Sequence, residues 1–189
     1  MNIKDKQAKE LIKLGEATIN CPVCGSKSLK IIDYLYDVPL VGKVILTTGK
    51  CNKCGYKYND VRLVETNPPR KIILKIDNQD DLNALVVKAS SASVYIPEKG
   101  LEMIPGPASQ GFITTIEGLL ERFKEAVETA CKDPDANKEE CNKLLKWLDE
   151  AKEGRTSFTV IIVDPEGVST IVSPKARIEP LSDKAEELR

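Results

Sequence analysis

The chain has 189 residues, 41% of them hydrophobic and 30% charged, with a formal net charge of −1 and no histidine. That length buries one compact core and leaves residues for a small metal-held module, while a pI near 5.7 argues against a nucleic-acid coat. The longest aliphatic run, Val160-Ile161-Ile162-Val163, is far short of the roughly 20 residues that cross a bilayer, and the N-terminus with Lys4, Asp5, Lys6, Lys9 and Glu10 has no signal-peptide core, so a cytoplasmic protein without a membrane partner is expected.

Ala8, Leu11 and Ile12 stand at helical spacing ahead of Gly15, which predicts a short leading helix over residues 4–14. Two cysteine knuckles follow, Cys21-Pro22-Val23-Cys24-Gly25 and Cys51-Asn52-Lys53-Cys54-Gly55, with 26 residues between Cys24 and Cys51. Two residues between cysteines let both sulfurs of a knuckle reach one ion at about 2.3 Å, and two knuckles complete a tetrahedron. The glycine after each second cysteine permits a left-handed turn that aims backbone N–H groups at the thiolates. Cys21, Cys24, Cys51 and Cys54 are therefore the expected ligands of one structural Zn²⁺, closed to catalysis because four sulfurs leave no open position. A redox pair, two unrelated disulfides, or iron in the same cage are the alternatives.

Between the knuckles, residues 29–36 and 43–48 read as strands separated by Pro39 and Gly42, and 57–64 continue the sheet, as in a zinc ribbon. Asn67-Pro68-Pro69 interrupts pairing, because consecutive prolines donate no hydrogen bonds. The expected division is a helix and ribbon over 1–66, a second domain over 67–182, and a flexible tail over 183–189. Arg70–Ile76, Ser93–Ile96 and Leu101–Ile104 read as short strands, and Asp80-Asp81-Leu82 as a helical turn.

The period then changes. Ile116, Leu119, Leu120, Phe123, Val127, Ala130 and Cys131 form one apolar stripe, and Cys141, Leu144, Leu145 and Leu148 another. Asp133-Pro134-Asp135 separates them and Asn137 with Glu140 offers a capping-box restart, which predicts an antiparallel helical hairpin over about 115–153. A β-hairpin is expected next, with strands 157–163 and 168–172 joined by the turn Asp164-Pro165-Glu166-Gly167. Pro180 and the residues to Arg189 are expected to fray. Strands on both sides of the helices make the fold mostly β with an α insertion.

Smaller signals remain. Cys131 and Cys141 lie on the inward stripes at the loop end of the helical hairpin, where antiparallel pairing brings them together. Buried free thiols suit an ordinary cytoplasm and a disulfide suits a hyperthermophile, towards which abundant Lys, Glu and Ile with three Gln lean. Trp147 sits off the centre of its stripe, either as a core edge or as a candidate partner contact. Lys50, Lys53, Lys57 and Arg62, interleaved with Tyr56 and Tyr58, would suit RNA or ribosome binding, or would merely offset the negative charge of a zinc tetrathiolate, which is the favoured reading. Without histidine a metal-triad oxygenase is not expected, and no nucleophile elbow or phosphate loop is present in the sequence, so neither an enzyme nor a small-molecule substrate is expected.

The chain resembles the ZPR zinc-finger family in four stretches. They are the two knuckles; Val38-Pro39 through Val44-Ile45-Leu46 into Tyr56 and Asn59-Asp60-Val61; Gly111-Phe112-Ile113-Thr114-Thr115-Ile116-Glu117-Gly118-Leu119-Leu120; and Phe158 through Asp164-Pro165-Glu166-Gly167-Val168-Ser169. The resemblance implies a zinc ribbon followed by a β-sandwich of the double-stranded β-helix kind with an inserted helical hairpin. It also implies a partner, translation elongation factor 1-alpha, and a chaperone-like role in that factor's folding. One ribbon-plus-sandwich unit is present, as in archaeal-type members, where eukaryotic members carry two. Asp60 stands where the family tends to have glutamate, a shorter carboxylate expected to weaken the contact made there.

Overall fold

The computed structural model describes residues 11–65 and 67–181. The first sheet is an antiparallel meander of β1 (Ile12–Asn20), β2 (Lys27–Val38), β3 (Gly42–Cys51) and β4 (Lys57–Leu63), in that order. Residues 12–14, expected to close a leading helix, are strand instead, and residues 4–10 of that expected helix lie outside the described residues. The edge of β2 decides the matter. Ile12 pairs with Leu35 and Lys13 with Tyr34, and Gly15 falls at a register shift inside the strand rather than at a helix end.

The second part is a two-sheet sandwich. Its strands are β5 (Arg70–Ile76), β6 (Leu85–Lys88), β7 (Ser93–Ile96), β8 (Leu101–Met103), β9 (Phe112–Thr115), β10 (Phe158–Asp164), β11 (Thr170–Val172) and β12 (Arg177–Pro180). They form a five-stranded sheet in the order β12-β5-β10-β7-β8 and a three-stranded sheet in the order β11-β6-β9. Alternation does the sorting: Ile72, Leu74 and Ile76 of β5 turn inward beside Val160 and Ile162 of β10, and Val86 and Ile171 meet them from the smaller sheet. The helices α1 (Ile116–Ala130) and α2 (Lys138–Lys152) complete this core with Ile116, Leu119, Leu120 and Phe123 from one and Trp147, Leu148 and Ala151 from the other. The fold is thus mostly β, a ribbon followed by a sandwich with a helical hairpin.

Two expectations are corrected here. Residues 158–164 and 170–172 do not form a hairpin: β10 pairs with β5 and β7, whereas β11 pairs with β6 in the other sheet. Asp164 is fully buried and its carboxylate accepts the N–H groups of Glu166 and Ser169, so the turn becomes a corner that carries the chain between sheets. The segment at Pro180 is not frayed either. β12 pairs with β5, Pro180 opposite Arg70, at the sheet edge where a residue without an N–H is tolerated. The expected tail over 183–189 lies outside the described residues.

Caps fix both helix starts. The Thr115 side chain accepts the Gly118 N–H, and Asn137 accepts those of Glu139 and Glu140, while the Glu140 carboxylate pairs with Lys143 instead of reaching back. Cys131 and Cys141 are bonded across the tip, with Cα atoms 6.0 Å apart. Replacing both with serine is expected to lower stability by about 2–3 kcal/mol, the entropy of a short closed loop. Calorimetry reads the loss, and thiol titration of denatured, metal-free protein should rise from four reactive sulfurs to six under reduction.

A smaller prediction concerns Asp81. Burial raises its pKa, but the Lys175 ammonium at 2.8 Å and the Asp77 N–H at 3.0 Å outweigh that and hold the carboxyl below 3.8. A depressed folded pKa gives stability that is present above the unfolded value and lost as pH falls through the folded one. Asp81→Asn should therefore destabilise by about 1 kcal/mol at pH 7, with a partner as exposed as Lys175 screening part of the gain. Denaturant midpoints of the two proteins should converge below pH 4.

Candidate metal centre and its support

The knuckles occupy the turns between β1 and β2 and between β3 and β4, and the pairing of β2 with β3 sets them side by side, with Leu29 opposite Cys51. They are built alike. Gly25 donates to the Cys21 carbonyl at 2.9 Å and Gly55 to the Cys51 carbonyl at 3.0 Å, with positive φ at both glycines, 70° and 76°. The Sγ atoms of Cys21, Cys24, Cys51 and Cys54 all lie within 4.8 Å of one another. The Cys21–Cys54 and Cys24–Cys51 pairs are each 3.7 Å apart. Sulfurs about 2.3 Å from a tetrahedral zinc stand about 3.8 Å from each other, so the cage fits the ion.

Hydroxyls that the sequence reading passed over support the sulfurs. Ser26 Oγ lies 3.0 Å from Cys24 Sγ, Ser28 Oγ lies 3.1 Å from Cys51 Sγ, and the two hydroxyls are 2.6 Å apart. The alternating serines after the first knuckle are the signal that could have been read. Ser28 and the N–H groups of Cys54 and Lys53 bring the Cys51 thiol down to about 5, and Ser26 lowers that of Cys24. At Cys54 the Tyr56 N–H also lowers the pKa, but burial and the three neighbouring sulfurs override it and push the thiol up to about 12. Four thiolates therefore need a cation among them, and a divalent ion supplies it.

The ribbon is fastened to the sandwich through residues the sequence reading left in doubt. Asp60 accepts the N–H groups of Val61 at 2.9 Å and Ser90 at 3.0 Å, and the Ser90 hydroxyl at 2.9 Å. The shorter carboxylate reaches all three donors. A Cβ at Gly111 would lie 2.1 Å from its Oδ1 and 2.7 Å from the Val61 nitrogen, which is why the stretch beginning at Gly111 starts with glycine. Val44 and Val61 of the ribbon bury against Val87 of β6, and the Leu63 N–H donates to the Val168 carbonyl at 3.0 Å. Lys88, 1% exposed, lies under this join and donates to the Ala89 carbonyl at 3.0 Å. Burial pulls its pKa down, against the attraction of Asp60 and Asp164. Asp60→Ala is expected to lose about 2–3 kcal/mol by stranding two N–H groups, and Asp60→Glu about 1–2 kcal/mol because the extra methylene has no room. Thermal melts of the two variants check the order.

Trp147 is 9% exposed and stacks edge-on against Phe158 with ring centroids 5.6 Å apart, while the Lys99 Nζ lies 5.4 Å from its ring. That is the core-edge fate, and it leaves little ring surface to offer a partner. Among the described residues no helix is long and apolar enough to cross a membrane.

Residues 80–187 match the model of the ZPR1 jelly-roll domain. A ZPR1-like protein of Pyrococcus horikoshii is 36% identical over 193 residues, covering 99% of this chain and 83% of the relative. A ZPR1-like protein of Methanocaldococcus jannaschii is 37% identical, covering 89% and 87%. The zinc finger chaperone zpr1 of Schizosaccharomyces pombe is 36% identical over 77% of this chain, which spans 33% of that longer protein. The zinc finger protein ZPR1 of Homo sapiens is 30% identical over 75% of this chain, which spans 32% of that protein, so the relatives include one named as a zinc finger chaperone and one named as a zinc finger protein. With the four-sulfur cage, they establish one structural Zn²⁺ as the cofactor.

Proposed function

Because this chain belongs to the ZPR1 family, we propose that it binds translation elongation factor 1-alpha and assists that factor's folding. The observation that carries the reading is the closed cage itself: four sulfurs with hydroxyl and N–H support, seated on a sheet that is fastened to the sandwich. Such a centre stiffens a surface instead of activating a water, which suits a protein that grips another protein. The similarity to a zinc finger chaperone supports the same view.

In this reading Cys21, Cys24, Cys51 and Cys54 are the zinc ligands, the ribbon ends near residue 66, and the sandwich with its helices is the second working part. The protein acts in the cytoplasm, without catalysing a reaction and without a small-molecule substrate. Zinc thiolates keep best in a reducing compartment, which supports that placement. Co-purification of the tagged full chain with elongation factor 1-alpha from the native host, with GDP or GTP supplied, is the test. Capture of the factor is the expected result. No association with either the folded or the nascent factor would overturn the proposal.

A further inference from the structure

On the ribbon sheet, three lysines stand directly opposite one another on adjacent strands: Lys30 of β2 pairs with Lys50 of β3, and Lys50 with Lys57 of β4. Residues paired in register share one face, so this is a ladder of three like charges, an arrangement that repels in an antiparallel sheet. Among the described residues one carboxylate serves it: Glu16, exposed, bonds Lys30 at 3.1 Å and Lys13 at 2.7 Å. Lys50 and Lys57 make no ion pair among the described residues. The ladder and the Cys51 sulfur lie on opposite faces of the sheet. Cys51 follows Lys50 and so points to the other face, where it buries with Leu29 and beside Ile31 and Tyr58.

The same three lysines line a groove of about 370 Å³ with Ile32, Asn52 and Asn59. We propose that this groove receives an acidic, extended segment of a protein partner, its carboxylates relieving the lysine ladder. This deepens the client-binding reading above and rests on it. Charge complementarity selects an anion, and two observations select polypeptide over nucleic acid. Among the described residues no aromatic ring lines the groove for a base to stack on, since Tyr58 lies in register with Gly49 on the opposite face. The chain as a whole carries a net charge of −1, unlike the basic footprint of a nucleic-acid binder.

The test uses the zinc-loaded full chain and three probes: a ten-residue peptide of alternating Glu and Thr, its Gln counterpart, and a ten-nucleotide uridine RNA. The Glu peptide should bind, more weakly as salt rises, and the paired change Lys50→Glu with Lys57→Glu should weaken it about tenfold. Lys50→Gln and Lys57→Gln should lower peptide affinity and raise the melting temperature with zinc content unchanged, because each removes repulsion from the ladder. Equal binding of the Gln peptide, indifference to the lysine changes, or tighter lysine-dependent binding of the RNA would overturn the inference. The two proposals separate cleanly. Elongation factor still captured by the Lys50→Gln, Lys57→Gln protein sinks the groove alone, whereas lysine-dependent peptide binding by a protein that never captures the factor upholds the groove and sinks the client.

Discussion

Stripping zinc from the full chain with a strong chelator is expected to melt the knuckle end of the ribbon while the sandwich stays folded. The buried cluster at that end consists of Cys21, Leu29 and Cys51 with four half-buried neighbours, so the metal supplies most of what holds it. A structural zinc site contributes on the order of 10 kcal/mol of folding free energy, far more than burying one leucine. The sandwich core of β5, β7, β10 and both helices touches none of the cysteines of the cage. Amide exchange should therefore accelerate in residues 21–31 and 48–58, remain slow in β5 and β10, and grade between these limits along β4, which Val61 pins to Val87. Zinc should restore protection. Cooperative unfolding of the whole chain, or no change in exchange, would contradict this account.

Gly167→Ala is expected to be the most damaging single substitution at the join, at about 3–5 kcal/mol, a range reserved for backbone clashes and strained conformations. Its φ is +68°, which L side chains rarely adopt, and a Cβ would lie 2.0 Å from the Asn67 carbonyl oxygen and 2.8 Å from that of Pro68. Those atoms are backbone and cannot swing aside. Gly111→Ala meets Asp60 Oδ1 and the Val61 nitrogen but has no positive φ, so a smaller loss of about 2–3 kcal/mol is expected. Chemical denaturation would rank the pair. A neutral Gly167→Ala would mean that the corner after β10 is looser than its contacts with Asn67 and Pro68 imply.

The knuckles, the helices and β5 were legible because each has a local cause: ligand spacing, a 3.6-residue stripe with its cap, and the short Ile-rich run Ile72-Ile73-Leu74 with Ile76 beyond the prolines. What failed was decided at a distance. Leu85–Lys88 and Phe112–Thr115 are four-residue strands whose only claim to extension is pairing with each other and with β11. Asp164-Pro165-Glu166-Gly167 has the residues of a hairpin turn, yet the buried carboxylate of Asp164 and the crowding of Gly167 against residues 67 and 68 make it a corner. Nothing in the spacing of Leu11, Ile12 and Gly15 reveals that β2 offers an open edge. Likewise Lys30, Lys50 and Lys57 become a set through the register of three strands, which no window of sequence contains.

β1 lies at the margin of its sheet, nine residues long and exposed throughout, with Ile12, Leu14 and Ile19 carrying apolar surface into solvent. A straight strand of that kind would template copies of itself and seed fibrils. The irregularities at Lys13/Gly15 and Ile19/Asn20 break its hydrogen-bonding repeat at both ends, and Lys13 and Glu16 set charge along it. The strand is thereby a margin too uneven to polymerise.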